Sequence, residues 1–363
     1  MFFASDNAGP AAPEIVAAIA TANQGYSLGY GQDTRTDAAR AQIRKLFEAP
    51  EAIVEFAPTG TAANALILGC LAKPWDSVFC HADAHINVNE SGATEFYSGG
   101  AKLTPLPGEN GTIDPQALSD AMSAIRKGGP ADTSCGPLSL TQATEFGSVY
   151  ALDAIRELTR IAKSFGVPCH MDGARFANAL AALGCSPAEM SWKAGIDALS
   201  FGGTKNGMIG AEAVVFFNPE LARDLAHRRL RGGHMVSKQR FMAAQYAAYL
   251  DRGLWLELAA RANRAAELLE HGLRAIPDVE IRNRRDVNIL FAAWPRGAHR
   301  RARAAGAQYY LDDETRWDEG DDAAMLSARL VCNWATSEKD IGELLALIRG
   351  KTAKRRPQPA PAR

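Results

Sequence analysis

Apolar residues follow two alternating spacings along the chain as far as residue 217. Stretches with apolar positions three and four residues apart predict helices, whereas short and nearly continuous apolar runs predict buried strands. This alternation is the order that builds a mostly parallel sheet with helices on both faces. Helices are predicted at 13–23, 37–47, 62–71, 115–126 and 152–165, and strands at 52–56, 77–80, 101–104, 136–141, 167–171, 198–201 and 212–217.

The pattern changes beyond residue 250, where one long helix is followed by alternating strands and a last helix. Their predicted bounds are 255–273, 287–291, 327–332 and 340–348. This order predicts a smaller α+β domain, with three aromatic residues in its core, Tyr309, Tyr310 and Trp334. The last residues are basic and rich in proline, a composition that does not order itself. We therefore predict a large domain at 1–250, a small C-terminal domain at 251–350 and a disordered tail at 351–363.

Composition describes a globular chain of 363 residues, 47% of them hydrophobic, with a formal charge of −1. This balance gives no electrostatic basis for nucleic-acid binding, and no apolar run approaches the roughly 20 residues that span a bilayer. The first residues lack a basic segment followed by a long apolar one, so we expect a cytoplasmic protein that binds neither nucleic acid nor membrane. Six cysteines without C-x-x-C pairs predict reduced thiols and no structural metal.

Three chemically complementary side chains follow two neighbouring strands. Lys205 stands in a glycine-rich turn after the strand at 198–201, and Asp172 and Arg175 follow the strand at 167–171. Ligands of open α/β sheets bind at the carboxyl ends of the strands, so we expect these groups in one crevice. An amine that forms a Schiff base, an acid that holds a ring nitrogen protonated and donors for a phosphate are what pyridoxal phosphate needs. The residues therefore predict this cofactor.

The segment Pro58–Asn64 follows a strand and opens a helix, so free backbone amides and the positive end of the helix dipole lie at Thr59, Gly60 and Thr61. A phosphate is the natural occupant of such a helix start. The alternative is an ordinary helix cap, in which a threonine hydroxyl satisfies the amides. No G-x-G-x-x-G motif accompanies the segment, which argues against a dinucleotide-dependent oxidoreductase.

His85 follows the strand that ends at Cys80, which places its imidazole near the same edge of the sheet. There the ring could stack on a pyridine ring or accept a proton near neutral pH. A histidine in a polar loop without a function is the alternative.

Several short motifs together carry a resemblance to a known family. With these motifs in this order, the chain resembles threonine aldolases of the aromatic amino acid β-eliminating lyase superfamily. Members of that superfamily have the fold-type I architecture of pyridoxal-phosphate enzymes. The likeness runs from Ser5 to about Leu347. The matching motifs are Ser5–Asn7, Tyr30–Asp33, Pro58–Thr61, Ala82–His85, His170–Arg175, Gly202–Lys205 and Ala328–Val331.

The resemblance assigns a role to each residue of the cofactor site. It implies that Lys205 binds pyridoxal phosphate covalently, that Asp172 pairs with the pyridine nitrogen and that His85 stacks on the ring. Gly60 and Thr61 would hold the phosphate. The remaining cofactor-site candidates are Thr59 and Arg175.

The same resemblance implies how a substrate binds. Ser5, Arg175 and Arg329 would bind its carboxylate, a task that suits the planar guanidinium fork. Arg329 would come from the small domain, so the site would close between domains. Tyr30 would reach into the site of a neighbouring subunit, which implies a homodimer or tetramer with shared active sites.

The implied reaction is the cleavage of L-threonine, L-allo-threonine or a related β-hydroxy-α-amino acid to glycine and an aldehyde. His85, directly or through a water, would accept the hydroxyl proton. A β-eliminating lyase, an aminotransferase or a racemase would use the same Lys205 and Asp172, so these activities are the alternatives.

Two departures from the family pattern affect the site. Where many members carry a second histidine, this chain has Glu145, which leaves His85, Glu145 or a water as the general base. Val236 stands where the family often places an arginine that reaches a neighbour's phosphate, and Lys238 or Arg231 are the candidate substitutes. Both changes suggest a roomier pocket that accepts β-aryl substrates such as phenylserine.

Overall fold

The computed structural model describes residues 1–127 and 129–350, and the predicted disordered tail lies outside this range. Two sheets organise these residues. Within the described part of the chain, no helix combines the length and the apolar character needed to cross a bilayer.

The larger sheet has seven strands in the order β1-β7-β6-β5-β4-β2-β3. β7 is antiparallel to both its neighbours, and the other pairs are parallel. Every residue of β5, β6 and β7 is buried, which is why these strands read as continuous apolar runs. The mostly parallel α/β fold is therefore confirmed. The strands are β1 Ile53–Ala57, β2 Asp76–His81, β3 Lys102–Leu106, β4 Ser134–Thr141, β5 Cys169–Gly173, β6 Ala198–Gly202 and β7 Glu212–Phe216.

Eleven helices accompany this sheet in the described residues, and several begin earlier than the apolar pattern predicts. The reason is capping: Asp33 accepts a hydrogen bond from the Thr36 amide at 3.0 Å, and Thr59 accepts one from the Ala62 amide at 3.1 Å. The helices are α1 Pro13–Ala22, α2 Thr34–Leu46, α3 Gly60–Leu71, α4 His85–Val88, α5 Ala93–Ser98, α6 Pro115–Lys127, α7 Leu152–Ser164, α8 Phe176–Leu183, α9 Pro187–Met190, α10 Leu225–Arg231 and α11 Arg240–Leu250.

The smaller sheet is antiparallel, with four strands in the order β10-β11-β9-β8. Its strands are β8 Glu280–Ile281, β9 Ile289–Pro295, β10 Tyr310–Leu311 and β11 Met325–Val331. The helices that follow α11 are α12 Leu254–Arg274, α13 Arg296–Ala304 and α14 Glu338–Ile348. This sheet has its own apolar core, and the smaller α+β unit is confirmed. A domain boundary between residues 250 and 251 stays a prediction.

Two of the three aromatic residues predicted in the small core lie elsewhere. Tyr309 is buried, but Tyr310 is 51% exposed because successive strand residues point to opposite faces. Trp334 packs against the larger core, and its Nε1 donates to the carbonyl of Pro10 at 3.0 Å. The prediction was therefore wrong for Tyr310 and Trp334.

The first residues connect the two sheets. Phe3 is buried in the smaller core, where its amide donates to Gln308 O at 2.7 Å and its carbonyl accepts from the Val331 amide at 2.8 Å. Ser5 then caps a short 3-10 helix, Asp6–Ala8, through a bond from the Asn7 amide to its Oγ. This N-terminal arm, residues 1–8, thus carries Ser5 and Asp6 from the small sheet toward Arg175.

Candidate active site

The Lys205 turn lies at the end of a buried strand, as predicted. β6 ends at Gly202, and a short 3-10 helix, Thr204–Asn206, carries the lysine. The buried carboxylate of Glu212 accepts a hydrogen bond from the Gly203 amide at 2.9 Å and so holds the start of the turn. Burial and then the positive charge of Arg175 lower the pKa of Lys205. A lowered pKa favours the neutral amine, the form that attacks a carbonyl.

Asp172 is held at the end of β5 through both of its carboxylate oxygens. Oδ1 accepts from the Ala174 amide at 2.9 Å, and Oδ2 accepts from Nδ2 of Asn64 at 2.8 Å. The same Nδ2 group donates to Oε1 of Glu90 at 3.0 Å, and Oδ1 of Asn64 accepts from Ser200 at 2.6 Å. Asn64, which projects from α3, therefore fixes the carboxylate that a pyridine nitrogen would meet.

His85 is fixed by two carboxylates at the start of α4. Its ring Nδ1–H donates to Oε1 of Glu90 at 2.8 Å, and its backbone amide donates to Oε1 of Glu145 at 2.8 Å. The hydrogen bond that His85 donates to Glu90 raises the pKa of His85, against the opposing effect of burial. Burial, and after it the negative charge of Asp172, raises the pKa of Glu145 to about 7.

Arg175 forms a buried two-pronged ion pair with Asp6. Its Nε and Nη2 donate to the two oxygens of Asp6 at 2.7 and 2.9 Å, and Asn288 donates to the same carboxylate at 3.0 Å. Burial opposes ionisation of Asp6, but Arg175 and Lys205 together lower its pKa. Among the guanidinium nitrogens of Arg175, Nη1 alone makes no hydrogen bond within the described residues. At most one edge of this guanidinium therefore faces a ligand.

Arg329 is the second guanidinium of the group. Its Nη1 donates to the carbonyl of Ala4 at 3.3 Å. Burial, followed by repulsion from Arg175, lowers its pKa to about 10, while Asp6 acts in the opposite direction. Asp6 and, more weakly, Glu145 are carboxylates that act on Arg329, but neither is hydrogen-bonded to it in the described residues, which leaves its guanidinium available to the carboxylate of a ligand.

The start of α3, the predicted phosphate site, has free backbone amides. The hydroxyl of Thr59 caps the Ala62 amide, while the amides of Gly60 and Thr61 have no acceptor among the described residues. A Cβ atom built on Gly60 would meet nothing within 4 Å, so the space in front of these amides is open. Free amides here, Asp172 and the amine of Lys205 match the phosphate, the ring nitrogen and the aldehyde of pyridoxal phosphate.

Not every predicted residue joins this group within one chain. Tyr30 is 56% exposed, and its backbone amide donates to Ser237 at 2.8 Å. Lys238 and Arg231 are exposed as well, and Val236 packs against the larger core. Ser5 does lie beside Asp6. The described residues contain no set of three or more His, Cys, Asp or Glu placed to hold a metal ion.

Several site residues were not predicted from the sequence. Asn64, Glu90 and Glu212 were not singled out, and Asp6 was not expected as the partner of Arg175. The available signal was a polar residue inside an apolar helix, since Asn64 interrupts the run of alanine and leucine in α3. No comparable signal distinguishes Glu90 from an exposed loop acid.

Comparison with known proteins assigns the family. The beta-eliminating lyase family matches residues 3–294, and the chain belongs to this family. Among curated proteins, the low specificity L-threonine aldolase of Pseudomonas sp. is 41% identical over 347 residues, covering 96% of both chains. The protein of the same description from Pseudomonas aeruginosa is also 41% identical over 347 residues, with the same coverage.

Solved structures share the fold at lower identity. The threonine aldolase of Leishmania major has a TM-score of 0.88 at 24% identity, over 96% of this chain and 98% of that one. Serine palmitoyltransferase of Sphingomonas wittichii has a TM-score of 0.69 at 15% identity, over 96% and 86%. At these identities the likeness establishes the fold, which is that of the fold-type I enzymes.

Proposed function

We propose that this protein is a pyridoxal-phosphate-dependent aldehyde lyase. It cleaves L-threonine, L-allo-threonine or a related β-hydroxy-α-amino acid, with phenylserine as a candidate, to glycine and an aldehyde. The observation that carries the proposal is the cluster of Lys205, Asp172 and His85 beside Arg175 and Arg329. The 41% identity to low specificity L-threonine aldolases over nearly the whole chain supports it.

The cofactor would be held at three points. Lys205 attaches its aldehyde carbon, Asp172 keeps its ring nitrogen protonated, and the amides of Gly60 and Thr61, next to the Thr59 cap, bind its phosphate. The imidazole of His85 covers the ring. When bound, pyridoxal phosphate supplies an electron sink for the charge left on Cα.

The substrate carboxylate would bind to Arg329, with the free edge of Arg175 and the hydroxyl of Ser5 beside it. A carboxylate clamp does more than bind, because it sets the rotation of the substrate about the bond from its nitrogen to Cα. That rotation decides which Cα bond is aligned for cleavage. The acceptor of the β-hydroxyl proton then lies among His85, Glu145 and a water between them.

We further infer a cytoplasmic homo-oligomer, a dimer or a tetramer, in which Tyr30 reaches the site of a neighbouring subunit. Exposed apolar side chains near Tyr30 support an interface, namely Tyr26 at 107% and Leu28 at 67% exposure. Light scattering tests the assembly. Mixing Tyr30→Ala and Lys205→Ala chains tests the sharing: if each hybrid dimer regains one intact site, activity returns on mixing.

Spectroscopy of the purified protein tests the activity itself. We expect an absorbance band near the visible edge that disappears in Lys205→Ala, and aldehyde together with glycine after addition of L-threonine, L-allo-threonine or phenylserine. Pyruvate and ammonia, or a keto acid, would instead identify an eliminating lyase or an aminotransferase. Absence of the band in the cofactor-supplemented protein would contradict the cofactor assignment as well.

A further inference from the structure

Glu145 has a buried oxygen atom without a partner. Its Oε1 accepts the hydrogen bond from the His85 amide at 2.8 Å. Its Oε2 is buried and has no hydrogen-bond partner in residues 1–127 and 129–350. Buried acceptors in folded proteins are almost always paired, and a catalytic role is one of the few explanations for an unpaired one in a site. The hydrogen bond from the His85 amide gives Oε1 of Glu145 a role in positioning His85, but it gives no role to Oε2.

Glu145 also lies within electrostatic range of both ends of the site. Its charge interacts with Asp172, at the end that would hold the cofactor ring, and with Arg329, at the end that would hold the substrate carboxylate. The α- and β-carbons of an amino-acid substrate lie between those two ends. Glu145, whose Oε1 contacts the His85 amide, is therefore close to the stretch of the site that a β-hydroxyl group would occupy.

Two other ionisable side chains of this part of the site, His85 and Glu90, are less suited to accept a proton. Nδ1 of His85 is bound to Glu90, and this bond raises the pKa of the imidazole, which favours the protonated ring over the basic one. The side chain of Glu90 has no exposed surface and is shielded behind His85. The pKa of Glu145, about 7, instead gives a substantial ionised fraction at neutral pH together with appreciable basicity.

We propose that Oε2 of Glu145 accepts the proton of the substrate's β-hydroxyl group. This assignment rests on the aldehyde-lyase activity proposed above. The O–H bond breaks, and its electron pair forms the second bond of the aldehyde carbonyl as the Cα–Cβ bond breaks. The pair of the broken Cα–Cβ bond remains on Cα, which takes up a proton to give glycine. Glu145 returns its proton to solvent, so the step needs no further reactant.

A pH dependence follows from this role. Only ionised Glu145 accepts a proton, so kcat/KM should rise as the pH increases through about 7. The ionisable and charged groups that act on Glu145, or on which it acts, are His85, Asp172, Arg329, Cys80 and Tyr150. His85 is the imidazole among them, and imidazoles ordinarily titrate near neutral pH, so the test must separate His85 from Glu145.

Glu145→Gln in the holoenzyme provides that test. The amide keeps an oxygen for the His85 amide but cannot take up a proton. We expect kcat for threonine cleavage to fall roughly 100-fold or more and the rise in kcat/KM near neutral pH to disappear. Exchange of the glycine Cα hydrogen with deuterated solvent involves no β-hydroxyl group, so the variant should keep most of this exchange. The cofactor-free protein should lose one of the two carboxylic-acid infrared signals that titrate near neutral pH, while Glu212 keeps the other.

Glu95→Gln is the matched control, because Glu95 also has a buried Oε2 without a partner in the described chain. It should retain the rate and pH profile of the wild type. Glu145→Gln with a wild-type rate and profile would overturn the inference and leave the proposed activity intact. Equal losses of cleavage, glycine exchange and cofactor binding would show a structural role for Glu145 and overturn it too. A wild-type protein that releases no aldehyde would contradict the proposed activity itself.

Discussion

The two ends of the site differ in how completely their polar atoms are paired. At the Asp172 end, both carboxylate oxygens accept hydrogen bonds, and Asn64 links this residue to Glu90 and Ser200. At the Glu145 end, Oε2 lacks a partner and Arg329 makes one long bond to a backbone carbonyl. Oε2 of Glu90 also lacks a partner within the described residues, so the contrast concerns the Asp172 carboxylate itself, and pairing of both its oxygens fixes its geometry in advance. The difference indicates that one end is built to position a resident group and the other to receive a transient one.

The largest expected effect tests the positioning end. Asp172→Asn preserves the shape and most hydrogen-bonding capacity of the side chain but removes its charge, which should hold the ring nitrogen protonated. We expect kcat to fall about 1,000-fold, the upper range for loss of one preorganised electrostatic group. Steady-state kinetics at saturating cofactor would measure this. A variant within tenfold of the wild type would contradict the ring-nitrogen role.

A smaller effect is expected at the receiving end. Arg329→Gln removes the guanidinium that should bind the substrate carboxylate, and loss of such a charged pair raises KM by about 100-fold. Arg329→Lys keeps the charge without the planar fork and should fall between the two proteins. Cofactor affinity, measured by titration of the cofactor-free protein, should stay unchanged in both variants. A drop in cofactor affinity equal to the rise in KM would place Arg329 at the other end.

Asn64→Ala tests whether the network around Asp172 is what prepares the positioning end. The substitution leaves Asp172 and Glu90 each without one donor. We expect cofactor affinity to fall about tenfold, because the carboxylate is no longer held in place. Ser139→Ala, at the far side of His170, is a suitable control and should have a smaller effect. Unchanged cofactor binding in Asn64→Ala would show that Asp172 is held adequately by the Ala174 amide alone.

The smallest effect concerns stability of the cofactor-free protein. Because folding raises the pKa of Glu145 to about 7, the folded state binds the proton more tightly than the unfolded chain, whose carboxyl has its ordinary pKa. Stability is therefore lost as pH rises from that ordinary value through about 7. The substitution Glu145→Gln should increase the free energy of unfolding at pH 8 by about 1 kcal/mol more than it does at pH 4, as measured by urea unfolding. An equal difference at both pH values would contradict the raised pKa.

The positioning end was more accessible to sequence reasoning than the receiving end. Lys205 and Asp172 could be placed because each follows a buried, apolar strand, and strand ends of a parallel sheet meet at one edge. The pairing of Asp6 with Arg175 could not be predicted, because 169 residues separate the two and either charge alone is compatible with an exposed position. The prediction for Tyr310 was wrong because the residue was assigned to the core as an aromatic, without regard to the face of the strand on which it lies.

The roles that the sequence assigned to site residues remain predictions of different strength. The fold brings Lys205, Asp172 and Arg175 near one another. The backbone amide of Tyr30 donates to Ser237 and the residue is 56% exposed, so its predicted contact with a site depends on a neighbouring subunit. A pattern along one chain carries no information about contacts between two chains, which is why this part of the site depends on the mixing experiment.

The N-terminal arm is a short connection that limits how far the smaller sheet can move. Phe3 is hydrogen-bonded into that sheet on both sides, and Asp6 is clamped by Arg175 of the larger unit. Three residues span at most about 11 Å when fully extended. The smaller sheet, and Arg329 with it, therefore cannot swing far from the Lys205 turn without breaking the Asp6 clamp or peeling the arm away. Access to the site must come from small adjustments, and the first six residues limit their range.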